Sequence, residues 1–248
     1  MKTTPIVAAE PGCNGPAAPR PGLLAGNGLP ARWQGRARFA ILQTGFGPGH
    51  DFLATWAAWR DDPARCDRLV FVSIEQHPLR PADLADAHAA SPVPDLARQL
   101  ADAWPPATCN LHRREFESGR VVLLLAFGDI AAWARGLVAS IDAFYLDGLA
   151  TGGRQAVWDR GVFAMLARLA ATGATAASCS DTPALLEGLR GAGFKIESAT
   201  AEDPREVTQA GFAPRFRARP PPGRVLPVAA PSHALRRAER GPVEGVRE

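Results

Sequence analysis

Four places in this 248-residue sequence combine residue types and spacing that could do chemistry. The first is Gly45-Phe46-Gly47-Pro48-Gly49, directly after the apolar run ARFAILQT and ahead of a helical pattern. Glycines at such a turn let a ligand approach the backbone, and the helix that follows begins with unpaired N–H groups. The second is Glu75, which closes LVFVSIE 26 residues after Gly49. An acid in that position accepts hydrogen bonds from ribose hydroxyls in nucleotide-binding units. The third is Asp129, after Phe127 and Gly128 at the end of VVLLLAF, and the fourth is Asp147 at the end of AFYLDG. Asp129 also reads as a simple N-cap for the helix behind it. Each element alone is a weak signal. A glycine-rich turn together with three acids that end buried strands reads as the site of a nucleoside-containing ligand.

The elements that must position these residues alternate regularly. Apolar runs at 37–43, 69–75, 121–127, 143–148, 174–180 and 194–200 are separated by helical patterns at about Asp51–Trp59, twice between Pro81 and Trp104, from Ile130, at Trp158–Ala170 and at Pro183–Ala192. Short, nearly continuous apolar strands joined by helical crossovers imply an α/β protein with a doubly wound, mostly parallel sheet and helices on both faces. In such sheets ligands lie outside the carboxyl ends of the strands, which is where all four candidate places fall. Flanking the alternation, residues 1–36 hold six Pro and six Gly, and residues 220–248 hold six more Pro. Both ends therefore read as loosely ordered, an N-terminal extension (1–36) and a tail (220–248) around a domain spanning 37–219.

Composition narrows the function classes. With 46% hydrophobic and 21% charged residues, the chain is neither disordered throughout nor collagen-like nor a coiled coil. It lacks the roughly 18 uninterrupted apolar residues of a membrane-spanning helix, and Pro and Gly interrupt the N-terminus where a signal peptide needs an apolar run, so a cytoplasmic address without membrane attachment is expected. Cys13, Cys66, Cys109 and Cys179 show no CxxC pair and no metal-ligand spacing with His77, His88 or His112, so free thiols and no metal are expected, with the histidines in surface or capping roles. Trp56, Trp59 and Trp158 fall on helical segments and read as core. No GxSxG elbow or activated cysteine offers a nucleophile. The net charge of +3 is uneven: residues 215–248 carry eight Arg against three Glu, leaving −2 for residues 1–214. The tail reads either as a solvated linker or as a segment attracted to a phosphate backbone.

Spacing separates two nucleoside ligands. A dinucleotide turn of the form GxGxxG would put its third glycine at position 50, where His50 stands. GxGxG after the first strand, with an acid after the second and Asp after the third, favours S-adenosylmethionine and a class I methyltransferase arrangement over a NAD-dependent oxidoreductase.

The same residues carry a family resemblance. TGFGPGHDFLATW (44–56), FVSIEQHPL (71–79), FGDI (127–130), FYLDGLATGGRQAVW (144–158) and LLEGLRGAGF (185–194), in this order, resemble the methyltransferase domain of the tRNA-modifying MnmC family. The likeness runs from about Ala37 to Phe212 and implies a class I Rossmann-like methyltransferase fold. It further implies transfer of a methyl group from S-adenosylmethionine to the amino group of 5-aminomethyl-2-thiouridine at the tRNA wobble position. By resemblance, Gly45, Phe46, Gly47 and Gly49 form the cofactor turn and Glu75 binds the ribose. Asp129 would then lie near the adenine and Asp147 where methyl donor and acceptor amine meet. Departures from the family pattern are Pro48 and His50 in the first motif, for Thr and Leu. On the acceptor side they are Leu149, Thr151, Gly153, Arg154 and Gln155, and GFAPRFR (211–217) for GFGRKRE. No second glycine-rich turn follows before Glu248, so the family's FAD-dependent domain is expected to be absent from this chain. The competing expectation is a degenerate relative that keeps the fold as a binding or partner module without catalysis.

Overall fold

The structure, a computed structural model, describes residues 21–146, 158–197 and 208–213. In chain order its elements are α1 (Pro21–Gly26), β1 (Arg38–Thr44), α2 (His50–Asp61), β2 (Arg68–Glu75), α3 (Pro81–Ala87), α4 (Pro94–Asp102), β3 (Leu111–Phe116), β4 (Val121–Phe127), α5 (Ile130–Gly136), β5 (Ile141–Tyr145), α6 (Arg160–Leu169), β6 (Ala170–Ser178), α7 (Pro183–Gly191), β7 (Phe194–Glu197) and β8 (Thr208–Phe212). The strands form one eight-stranded sheet in the order β3-β4-β2-β1-β5-β6-β8-β7. Strands β4, β2, β1, β5 and β6 run parallel, while β3 and β8 run antiparallel to their neighbours. This is the doubly wound, mostly parallel sheet expected from the alternation. From β1 the chain first winds outward through β2 and β4, then crosses back to β5. The strand order therefore reverses between β1 and β5, and in open α/β sheets the carboxyl ends of the strands at such a switch point are where ligands bind.

Strand geometry sorts the apolar runs into two layers. Phe39, Ile41, Leu69, Phe71, Leu123 and Leu125 pack in one core cluster, and Ala40, Leu42, Val70, Val72, Val122, Leu124 and Ala126 in the other. The period-2 alternation of side chains requires this division, and because both faces are covered, all seven residues of β4 are buried. Helices α1, α2 and α4 cover the first face with Leu23, Phe52, Trp56, Trp59, Leu96 and Leu100. Helices α5, α6 and α7 cover the second with Trp133, Val162, Leu166, Leu185 and Leu189.

The structure adds two strands that the sequence pattern does not show, and it corrects one segment. Strand β3 is LHRREF, an outer strand rich in charge, which shields the sheet edge but carries no apolar alternation. Strand β8 inserts between β6 and β7 with Ala210 as its buried residue, too short and too mixed to announce itself. Residues 21–36 are the correction. Their Pro and Gly content suggests loose order, yet Leu23 and Trp33 are fully buried, and the Trp33 indole donates to Asp62 Oδ2 at 2.8 Å. That indole N–H, ahead of smaller contributions from Ala64 N and Gln34, holds the Asp62 carboxyl below the usual carboxylate range.

The same segment is tied to the sheet by a buried polar network. Asn27 donates to the carbonyls of Leu23 (2.9 Å) and Phe144 (3.1 Å) and accepts from the Thr175 hydroxyl (2.6 Å). Arg32 donates to Thr175 Oγ1 and to the carbonyls of Asn27, Asp142 and Gly173. Asp142 pairs with Arg36 at 2.8 Å and accepts from Ala40 N at 2.9 Å. Replacing Asn27 by Ala leaves the Phe144 carbonyl and the Thr175 hydroxyl short of a buried partner, a loss of about 1–3 kcal/mol. Thermal or urea unfolding of Asn27→Ala should therefore show a clear drop in stability; an unchanged midpoint would make residues 21–36 the loose extension their composition suggests.

Candidate active site at the carboxyl edge of the sheet

The turn after β1 is built by glycine conformations and held by one acid. Gly45, Gly47 and Gly49 have φ of 90°, 53° and 83°, the left-handed region that residues with a Cβ avoid. A Cβ on Gly49 would lie 2.6 Å from the Phe46 ring, whereas one on Gly47 would meet nothing within 4 Å. Gly49 is thus required by internal packing, and Gly47 presents bare backbone to open space. Glu75, only 7% exposed at the end of β2, accepts from Phe46 N (2.8 Å) and Gly47 N (2.9 Å) through Oε2 and from His77 N (2.7 Å) through Oε1. Gly45 N donates to the Ile74 carbonyl, and Gly128 N to the Glu75 carbonyl, both at 2.8 Å. These bonds carry the parallel ladder one residue past the strands and bring the ends of β1, β2 and β4 together.

The sequence-predicted residues have distinct places in this arrangement. Gly45, Gly47, Gly49 and Glu75 meet as expected. Phe46 belongs to the same turn, but its side chain is buried beneath it, stacked on Trp104 with ring centroids 5.6 Å apart. What Phe46 presents to the turn's outer face is backbone. Asp129 caps α5, accepting from Ala131 N (3.3 Å) and Ala132 N (3.2 Å), and is exposed at the same edge after Gly128, whose φ is 130°. Asp147 follows β5 in the sequence and lies outside the described residues, as do the acceptor-side departures at 149–155 and the segment from 214 onward.

Sequence reasoning missed two features beneath this edge. The first is a buried polar group between β1, α2 and β5. Gln43 donates to Asp51 Oδ2 at 2.8 Å, the Thr55 hydroxyl donates to the Asp51 carbonyl at 2.7 Å, and the Tyr145 hydroxyl lies 3.2 Å from Thr55 Oγ1. Burial pushes the Tyr145 hydroxyl well above its ordinary range, so it remains a neutral donor to Thr55. The cluster fixes the first turn of α2 against the sheet. Its signal is present as polar residues inside apolar periodicity, Gln43 in β1 and Thr55 in α2. The second feature is His88. Its spacing suggests a surface or capping role; the residue does follow α3 as its C-cap, but its ring is buried, with Nε2 2.7 Å from the Pro48 carbonyl oxygen. Nothing local in the sequence marks that contact, which spans 40 positions.

Among the described residues no group of three or more His, Cys, Asp or Glu could hold a metal ion, and no helix is long and apolar enough to cross a membrane. Trp56 and Trp59 are fully buried, and the partly buried Trp158 packs against the core.

The chain is similar to known proteins in sequence and in fold. A family model described as S-adenosyl-L-methionine-dependent methyltransferase matches residues 91–212. In structure, the chain is similar to MNMC2 from Aquifex aeolicus with a TM-score of 0.60 at 18% identity, over 79% of this chain and 61% of that one, a likeness of fold. In sequence it is 57% identical over 202 residues to the tRNA 5-methylaminomethyl-2-thiouridine biosynthesis bifunctional protein MnmC of Methylibium petroleiphilum, covering 81% of this chain and 31% of the relative. The corresponding protein of Burkholderia vietnamiensis is 50% identical over 213 residues, covering 84% and 33%. The chain spans about a third of the length of these curated relatives. The fold is that of the Rossmann-like S-adenosylmethionine-dependent methyltransferases. Within that class, the chain is a homologue of the MnmC proteins and carries an MnmC-like methyltransferase domain.

Gly49 provides a test of the turn itself. A Cβ there adds the left-handed backbone penalty of about 1–2 kcal/mol to the close approach to Phe46. Gly49→Ala should lower stability by at least that amount in urea unfolding, and a neutral substitution would show that the turn relaxes without cost.

Proposed function

We propose that this chain binds S-adenosylmethionine at the carboxyl edge of its sheet and methylates an amine, with 5-aminomethyl-2-thiouridine at the tRNA wobble position as acceptor and the cytoplasm as setting. The observation that carries the reading is the glycine-rich turn clasped by Glu75 beside the strand-order reversal, in a chain 57% identical to an MnmC protein. The residues fit the cofactor: Gly47 leaves open space where any side chain would stand, and Glu75, with three N–H groups bound, keeps one of a carboxylate's roughly four acceptor positions for a ribose hydroxyl. Gly45, Gly47 and Gly49 would hold the methionine and ribose portion, and Asp129 the adenine side. S-adenosylmethionine supplies an electrophilic methyl group on a sulfonium.

The protein's part in such a displacement is to bring the amine nitrogen in line with the methyl group at about 3 Å and to exclude water. Little acid–base machinery is needed, which accords with a site edge of glycines, backbone and carboxylates. Asp147 is assigned by sequence position and resemblance. As the residue closing the run that contains β5, it would accept a hydrogen bond from the amine, orient the lone pair and stabilise the positive charge that develops on nitrogen. The proton lost by the methylated amine passes to solvent.

Two substitutions test this. Glu75→Ala should weaken S-adenosylmethionine binding by about 1–3 kcal/mol in calorimetry, the scale of losing a charge-assisted acceptor; unchanged affinity removes Glu75 from the cofactor site. Asp147→Asn should lower turnover on tRNA carrying 5-aminomethyl-2-thiouridine while leaving cofactor affinity and melting temperature nearly unchanged, the signature of a lost transition-state interaction. A parallel fall in melting temperature would instead mark Asp147 as structural. If the unmutated protein binds the cofactor but methylates no such tRNA, the acceptor assignment is wrong.

A further inference from the structure

The cofactor turn departs from the family motif at Pro48 and His50, and in the structure both residues meet the same side chain. The His88 ring lies edge-on to the His50 ring, with centroids 4.9 Å apart and planes at 81°. Its Nε2 is 2.7 Å from the Pro48 carbonyl oxygen. A carbonyl only accepts, so Nε2 carries the proton. Nδ1 is buried with no hydrogen-bond partner among the described residues. Burying an imidazole with one nitrogen unpaired costs stability, and the interaction gained in exchange is a hold on the turn. Proline has no N–H, so its carbonyl is the one backbone polar group by which Pro48 can be restrained. The turn is therefore gripped from two sides. Glu75 binds the N–H groups of Phe46 and Gly47 from β2, and His88 binds the carbonyl of Pro48 from the end of α3. Between these grips lies Gly47, the residue with open space above it.

We propose that His88 is a positioning residue for the cofactor turn: by donating to the Pro48 carbonyl and packing against His50, it holds Gly47 to Gly49 in the conformation that receives S-adenosylmethionine. The proposal rests on the reading that this turn binds S-adenosylmethionine. It also assigns a compensating partner to the two motif departures. A turn carrying Pro at 48 and His at 50 is supported from α3.

The test uses the full chain with His88→Ala, His88→Gln and His88→Phe, and measures amide hydrogen exchange at Phe46, Gly47 and Gly49 without ligand, S-adenosylmethionine affinity by calorimetry, and melting temperature. His88→Ala should speed exchange in the turn and weaken binding about five- to tenfold, the scale of one net hydrogen bond. Gln, which can donate an amide N–H to the same carbonyl, should recover most of both. Phe, which fills the volume and keeps the ring contact but has no donor, should not. Exchange and affinity unchanged in the Ala and Phe variants, or lost equally in the Gln variant, would overturn the proposal, as would a lower melting temperature with unchanged affinity. If the exchange response appears but the unmutated protein binds no S-adenosylmethionine, it is the cofactor reading that fails, and the hydrogen bond stands as a hold on a turn of other use.

Discussion

The carboxylate of Glu75 is the interaction on which the carboxyl edge of the sheet depends. Three parallel strands end side by side there, and a parallel ladder leaves the loops beyond its last residue without partners. Glu75 supplies them. It gathers N–H groups from the turn after β1 and from its own loop, while its backbone carbonyl accepts from Gly128 after β4. Hydrogen bonds to an ionised acceptor are roughly twice as strong as neutral ones, and at 7% exposure this carboxylate has little competition from water. One residue thereby couples three loops, two through its side chain and the third through its backbone carbonyl. The remaining acceptor position of this carboxylate lies beside the glycine turn it holds, so the conformation of the turn and the environment of that position are linked.

The half of the sheet at β5 and β6 has its own tether, and it comes from a segment whose composition hides it. Asn27, Arg32 and Arg36 reach from residues 21–36 to β5 and β6, where Asp142 and Thr175 receive them. Burial drives the Arg32 guanidinium below its ordinary range, opposed by the charge of Asp142. A buried ionic group of this kind adds less net stability than its contact distances suggest, because desolvation offsets most of the attraction. Its effect is directional: Asn27 and Arg32 satisfy carbonyls of β5 and, at Gly173, of β6, so the segment has one place to dock. With Trp33 buried beside Asp62, α1 and the residues after it complete the layer that also packs α2, the helix that follows the cofactor turn.

Homology and geometry meet at the turn. The chain shares most of its length with the MnmC proteins, yet its turn replaces two motif residues, and each replacement has a visible structural partner in His88. The glycines are constrained by backbone conformation, Gly49 doubly so by the Phe46 ring, whereas Pro48 and His50 are met from outside the turn by His88.

Elements whose signals are local are legible in the amino-acid order. Apolar runs of strand length separated by helical periodicity, with glycines at turns needing positive φ, were enough to specify a doubly wound sheet and to place Gly45, Gly47, Gly49 and Glu75 at one edge. Strand direction sets those positions, because every parallel strand delivers its last residue to the same side. What depends on distant partners emerged only from the folded layers. LHRREF forms a strand because β4 offers it an edge, not through any propensity of its own. Residues 21–36 are ordered because Asn27 and Arg32 find partners more than 100 positions away. Phe46 turns inward because Trp104 and Phe52 provide a pocket, and His88 becomes part of the site edge only because α3 brings it over Pro48. Periodicity and turn chemistry act over a few residues and can be read along the chain; burial and long-range hydrogen bonds are properties of the assembled layers, and no window of sequence contains them.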